Sequence, residues 1–285
     1  MVNLTKLSLK SDLSYWLTKY NIRPNKRLGQ CFLVSEKALD KIVSAAAVRR
    51  GDKILEIGPG TGILTEKLLA KGGTVLAVEK DSRLINILSA RFSKEIKNKQ
   101  FILIQADFLK LKFPGCLKKH NFASGKYRVI ANLPYQITSP TIERLLERNF
   151  LPSSTVFTIQ KEVAERICAK PGNLSSLAVL VQACTQKCTY VAKFPRAYFY
   201  PMPEVNSALI KLEGIAYPGG IEIKKLRQVI RAGFAQKRKK LKKNLQNVFP
   251  ADAIEKIWSD LKISENTRAQ EFPVDKWIEI AKIFT

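Results

Sequence analysis

The chain has 285 residues, 46% hydrophobic and 26% charged, an ordinary globular composition that excludes a disordered chain. Forty-nine Lys and Arg against 24 Asp and Glu leave a formal charge of +25, so a polyanionic partner is expected. No apolar run nears the roughly 20 residues of a bilayer span. Lys6, Lys10 and Asp12 interrupt any signal-peptide core.

Five scattered cysteines, Cys31, Cys116, Cys168, Cys184 and Cys188, form no disulfide framework and read as reduced, cytoplasmic thiols. The single histidine, His120, and the spacing of Cys184 and Cys188 supply no zinc motif, so no metal is expected.

In chain order, Leu13, Trp16, Leu17 and Tyr20 recur at helical spacing and predict a short N-terminal helix. A basic, proline-containing connector follows from Asn21 to Gln30. Ser35 is placed to N-cap a second helix with Ala38, Leu39, Ile42 and Val43 on one face. From residue 53 the pattern alternates between strand and helix. The strands are expected at Lys53 to Ile57, Thr74 to Val78, Phe101 to Gln105, Arg128 to Ala131, Thr155 to Ile159 and Ala208 to Leu212. Such alternation predicts an α/β fold with a parallel sheet covered on both faces.

After Leu212 the strand signal stops, and Glu213 to Gly220 reads as a linker. Amphipathic helices are expected at Ile223 to Phe234, Ile254 to Leu261 and Val274 to Ile283. The organisation is therefore an α/β domain over residues 1–213, with N-terminal helices in 1–50 and the core in 51–213. A small basic helical domain follows over 221–285. Trp16, Trp258 and Trp277 are expected in cores and His120 in a loop.

Glu56 to Gly62 reads Glu-Ile-Gly-Pro-Gly-Thr-Gly at a strand-to-helix turn, where glycines permit unusual φ angles and close approach of a ligand. The third glycine of a dinucleotide fingerprint is absent, since Ile63 stands there, which suits a ligand without a pyrophosphate, such as S-adenosylmethionine. Glu79, closing the second strand, is placed to accept bonds from ribose hydroxyls, and Asp107, after the third, from an adenine amine. Gly58, Gly60, Glu79 and Asp107 thus converge on one crevice.

The fourth strand ends in Asn132-Leu133-Pro134-Tyr135 at the same sheet edge. An exocyclic adenine amine is a poor nucleophile because its lone pair is delocalised into the ring. Two acceptors aimed at its hydrogens, the Asn132 side-chain oxygen and a carbonyl at Leu133 or Pro134, favour a pyramidal nitrogen. Pro134 fixes its own φ and steadies the loop. Tyr135 can stack on the base, an interaction worth roughly 1–3 kcal/mol. No strong general base is required, and the reaction can run on positioning and electrostatics.

These residues resemble the KsgA-type small-subunit ribosomal RNA adenine N6-dimethyltransferases. Further matching segments are Arg27 to Leu33, Gln160 to Ile167 and Phe199 to Val205. The resemblance implies a Rossmann-like class I S-adenosylmethionine-dependent methyltransferase domain with a helical C-terminal domain. It implies dimethylation of two adjacent adenines near the 3′ end of small-subunit (16S) ribosomal RNA, during small-subunit maturation in the cytoplasm. By position, the cofactor would meet Cys31, Leu33, Gly58, Glu79, Asp107 and Asn132, while Tyr135 and Phe199 would sandwich a flipped base. The immature small subunit is the implied partner, with no membrane and no metal, and a monomer is favoured.

Three positions depart from the family pattern: Cys31 stands where Asn or His is usual, Asn206 replaces Asp before Ser207, and Leu174-Ser175 replaces Tyr-Gly. Cys31 is expected to contribute through its backbone. Lys237, Arg238, Lys239, Lys240, Lys242 and Lys243 form a basic run expected to track RNA phosphates, setting affinity and salt dependence rather than the target base. Two rivals are weighed: a large-subunit resistance methyltransferase, whose motif usually reads Ser-Gln-Asn where this chain has Gly29-Gln30-Cys31, and a non-catalytic RNA-binding or assembly protein. Intact Gly58, Glu79 and Asn132 argue against the second.

Overall fold

A computed structural model describes residues 8–147, 149–236 and 238–284 of the chain. The chain divides into two compact units. One runs to Ala164 and takes in Thr189–Glu213; the other consists of Glu165–Cys188 and the chain from Gly214 onward.

The first unit opens with α1 (Leu9–Lys19), whose Ser8 cap accepts from the Ser11 N–H, followed by β1 (Phe32–Leu33) and α2 (Glu36–Ala46). Ser35 caps α2, its hydroxyl accepting from the Ala38 N–H at 3.3 Å, and Ala38, Leu39 and Ile42 are buried as their spacing predicts. The alternating region then gives β2 (Lys53–Ile57), α3 (Ile63–Ala70), β3 (Thr74–Glu79), α4 (Ser82–Arg91), α5 (Ser93–Lys97) and β4 (Phe101–Gln105). It continues with α6 (Gly115–Lys119), β5 (Tyr127–Asn132), α7 (Thr138–Glu147), β6 (Ser154–Gln160) and α8 (Lys161–Ile167). Beyond lie α9 (Ser176–Ala183), β7 (Thr185–Phe194), β8 (Phe199–Tyr200) and β9 (Ser207–Ile215).

Seven strands form one sheet in the order β4-β3-β2-β5-β6-β9-β7. The five from β4 to β6 are parallel, and β9 runs antiparallel to β6. The sheet is therefore mixed, not wholly parallel. Chain order runs outward from β2 in both directions, through β3 and β4 on one side and β5 and β6 on the other. That arrangement opens a crevice at the carboxyl ends of β2 and β5.

The unforeseen strand is β7. Lys187 and Lys193 interrupt its apolar pattern, and most of its residues are exposed or half-buried, as suits a lysine-bearing edge strand. The tiny β1 and β8 also carried no periodic signal; they pair antiparallel, Phe32 with Tyr200 and Leu33 with Phe199.

In the second unit α9 joins α10 (Ile223–Gly233), α11 (Leu241–Gln246), α12 (Ala251–Asp260) and α13 (Val274–Ile283), and packs against α10 and α13. Residues 165–188 belong here although the sequence reading grouped them with the first domain. The reason is α9, whose Ala178, Val179, Leu180 and Val181 are all buried, so that it needs cover on several sides. Trp277 is fully buried, stacked on Phe234 at 5.4 Å, with its indole N–H donating to the Phe272 carbonyl at 3.2 Å. Trp258 is also buried, whereas Trp16 is only half-buried, beside the Arg91 guanidinium. His120 ends α6. All five cysteines are free thiols, with the Cys168 and Cys188 sulfurs 3.0 Å apart. Among the described residues no helix is long and apolar enough to cross a membrane.

Candidate active site

The parallel register sets the ends of β2, β3, β4 and β5 side by side: Ile57 lies opposite Val78, Glu79 opposite Gln105, and Asn132 opposite Thr158. The residues that follow each strand therefore share one rim. A crevice at this rim is lined by Gly58, Gly60, Glu79 and Asp107, by Asn132 to Tyr135, and by Cys31, Leu33 and Phe199 from the β1–β8 ribbon and its approach. Every crevice residue expected from sequence is thus brought together.

Gly58, Gly60 and Gly62 have φ of 68°, 64° and 88°, the left-handed region that β-carbons disfavour. At Gly62 a β-carbon would also sit 2.4 Å from the Phe92 ring and 3.1 Å from Leu88. Gly62 thus permits close packing of the loop against Phe92 and Leu88, one position before the Ile63 that replaces the fingerprint's third glycine. It also begins α3.

Glu79 is held by three backbone donors. Oε1 accepts from the Lys80 and Asp81 N–H groups, both at 2.8 Å, and Oε2 from Gly60 at 3.3 Å. Burial pushes its carboxyl up from the usual range, against the pull of those donors. Asp107 is half-buried, which opposes its ionisation. Hydrogen bonds from Lys80 at 3.0 Å and from the Leu109 N–H at 2.9 Å outweigh that and hold it low.

Asn132 donates through Nδ2 to the Cys31 carbonyl at 3.2 Å. That bond fixes the amide and leaves Oδ1 without a partner among the described residues. The Pro134 carbonyl accepts from the Ile137 N–H at 3.1 Å, whereas the Leu133 carbonyl accepts no bond among the described residues. Leu133 is therefore the carbonyl open to a ligand. Tyr135 is half-buried, its hydroxyl 2.7 Å from that of Ser207, and burial raises its phenol pKa. Phe199 is 3% exposed.

Four contributors escaped the sequence reading. Glu56, 1% exposed, lines the crevice and accepts from the Thr65 hydroxyl at 2.7 Å. Gln30 donates to Asp81 Oδ2 at 2.8 Å and accepts from the Asn25 N–H, clipping the basic connector to the loop after β3. Asp81 caps α4 and pairs with Arg83, whose hydrogen bond chiefly keeps the Asp81 carboxyl low. An Asp at the N-cap position, just before the helix, is the available signal for Asp81. Arg91 donates to the Thr61 carbonyl of the glycine loop and to Asp12 of α1, and pairs with Glu66.

The basic run lies in the second unit. Arg238, Lys239, Lys240 and Lys243 are exposed, and Lys237 lies outside the described residues. Lys242 departs from expectation. Its ammonium lies 2.6 Å from both Glu255 and Glu265, whose hydrogen bonds raise its pKa, so it ties α11 to neighbouring acids rather than facing outward.

A Rossmann-like sheet with a glycine loop, a buried carboxylate closing β3 and an Asn-Leu-Pro-Tyr loop defines a methyltransferase using a donor of the S-adenosylmethionine type. Residues 21–285 match the family described as ribosomal RNA adenine dimethylase. The chain belongs to that family and is an enzyme of the methyltransferase class. It is 39% identical over 274 residues to ribosomal RNA small subunit methyltransferase A of a Nostoc species, covering 92% of this chain and 98% of the relative. The like-named protein of Lactobacillus delbrueckii subsp. bulgaricus is 36% identical, with 93% and 92% covered. Among solved structures, a dimethyladenosine transferase from Plasmodium falciparum superposes with a TM-score of 0.72 at 28% identity, covering 87% of this chain and 95% of that one. The 23S rRNA methyltransferase ErmE shares the fold, with a TM-score of 0.66 at 23% identity over 88% of this chain and 98% of its own.

Proposed function

We propose that this protein transfers methyl groups from S-adenosylmethionine to N6 of two adjacent adenines near the 3′ end of small-subunit ribosomal RNA. The product is N6,N6-dimethyladenosine, formed during small-subunit maturation in the cytoplasm. The relatives named small subunit methyltransferase A support the substrate. The observation that carries the chemistry is Asn132, its amide held by the Cys31 carbonyl and its Oδ1 open at the rim beside the Leu133 carbonyl.

The crevice fits the donor. Gly58 and Gly60 bring backbone to its floor, and a β-carbon at Gly60 would crowd the Phe32 ring at 3.1 Å. Glu79 and Asp107 stand ready as acceptors for ribose and adenine. When bound, S-adenosylmethionine supplies a methyl on a sulfonium, a leaving group already activated. The N–methyl bond would form as the S–methyl bond breaks, releasing S-adenosylhomocysteine as a neutral thioether, and the methylated amine would lose its proton to solvent, so the protein needs only to present the amine. Asn132 Oδ1 and the Leu133 carbonyl accept the two N6 hydrogens, which turns the nitrogen lone pair toward the methyl. The Tyr135 ring supports the base, with Phe199 as the opposite wall.

Purified protein incubated with S-adenosylmethionine and unmethylated small subunits, followed by RNA digestion and nucleoside mass spectrometry, tests this. Dimethyladenosine is expected from the small subunit and not from large-subunit RNA, and Asn132→Ala is expected to abolish it. Product from large-subunit RNA alone, or from neither, would overturn the reading.

A further inference from the structure

The basic run near residue 240 is not the only strongly charged segment. From Phe108 to Ile142 there is no Asp or Glu, while Lys110, Lys112, Lys118, Lys119, Lys126 and Arg128 fall in it. Arg128 is occupied, donating to the Ala46 carbonyl and pairing with Asp52. Lys110 and Lys112 are exposed; Lys110 lies near enough to Asp107 for its charge to help hold that carboxyl low, and neither lysine forms a close ion pair among the described residues.

Their placement gives this charge a direction. Asp107 lines the crevice, and its carbonyl accepts from the Lys110 and Leu111 N–H groups at 2.9 and 3.0 Å, so the chain turns away from the rim at once. On the other side, α7 starts directly after the Asn132–Tyr135 loop and its 3-10 turn. Arg144 of α7 donates to the Leu111 carbonyl and joins the two segments. Between them lies a groove of about 450 Å³, lined by Leu109, Lys110, Leu111, Lys112, Phe113 and Arg144. The acids of α7, Glu143 and Glu147, are half-buried and engaged within the protein.

We infer that this groove is a second RNA site, which binds backbone phosphates of the strand flanking the target adenine. The inference rests on the function proposed above. Both walls lead straight out of the crevice, one from the cofactor acid Asp107 and the other from the loop that holds the amine. A strand whose base is inserted at Asn132 has these walls as one path out of the crevice. Two exposed lysines on a mostly polar groove suit phosphate and sugar, not a base edge. Lys110 and Lys112 therefore position the substrate and take no part in the chemistry.

The test compares the wild type, Lys110→Gln/Lys112→Gln, and Lys94→Gln/Lys97→Gln as a charge-matched control. Lys94 and Lys97 are exposed on α5, which enters β4 at the opposite sheet edge. Binding of a small-subunit RNA fragment would be titrated across salt concentrations, with S-adenosylmethionine affinity by calorimetry and methyl transfer alongside. The groove variant should flatten the log–log salt slope by about 1.4, two single-strand phosphate contacts at roughly 0.7 each. KM for RNA should rise about tenfold or more while kcat and cofactor affinity stay unchanged, and the control should keep the wild-type slope. An unchanged slope in the groove variant, or an equal loss in the control, would overturn the inference. A wild type that binds RNA yet makes no methyladenosine would instead sink the proposed function, and the slope comparison would still decide the groove.

Discussion

Replacing Glu56 by Gln should remove a large loss of stability with rising pH in the first unit. Burial, against the opposing hydrogen bond from Thr65 and with some help from the Glu79 charge, raises the Glu56 carboxyl from 4.5 to about 8. An acid with a raised folded pKa keeps a proton in the native state that the unfolded chain has already released. Its contribution is whole below about pH 4.5 and drains as pH climbs to about 8. At about 1.36 kcal/mol per unit, the loss across that window is about 5 kcal/mol. Gln has nearly the same shape, and its carbonyl can still accept from the Thr65 hydroxyl at the 2.7 Å now seen, but it has no proton to lose. Urea unfolding at intervals from about pH 5 to about pH 9, extrapolated to water, reads the difference. The wild-type curve should fall relative to the variant by several kcal/mol across the series. Parallel curves would show that Glu56 ionises as an ordinary carboxylate and that the burial argument is wrong.

Gly62→Ala should lower stability by about 3 kcal/mol, combining a left-handed β-carbon with overpacking against Phe92. Gly125→Ala, at φ 72° with nothing within 4 Å, isolates the conformational part, so equal losses in the two variants would refute the packing claim. Steady-state methyl transfer should fall by about 100-fold or more in Asn132→Ala. Cys31→Asn should leave turnover largely intact, because Cys31 acts on Asn132 through its carbonyl; a collapse would reveal a role for the thiol. Lys242→Met should lower the melting temperature without changing the salt slope of RNA binding, whereas Lys243→Met should flatten the slope; the reverse would put Lys242 on the RNA.

Local pattern carried much of this structure. The Ser35 cap and the buried face of α2 follow from residues within one turn, and the apolar runs of β2, β3, β5 and β6 announce strands because inner strands of the sheet are covered on both faces. The glycine loop, Glu79, Asp107 and Asn132 were legible for the same reason. Each stands at the end of a periodic segment, and parallel pairing brings such ends to one rim.

What sequence reading missed depends on partners distant along the chain. The edge strand β7 has no apolar alternation, because only pairing with β9 defines it. Residues 165–188 look like a continuation of the first domain until α9 meets α10 and α13. The sequence by itself determined the strand ends that line the crevice, and with them the class of enzyme. Tertiary structure alone decided which of the Leu133 and Pro134 carbonyls is open, that Lys242 is spent on Glu255 and Glu265, and that Arg91 ties α1 to the glycine loop. Periodicity encodes which face of an element is buried, but the partner of a single polar atom is fixed only when distant segments pack.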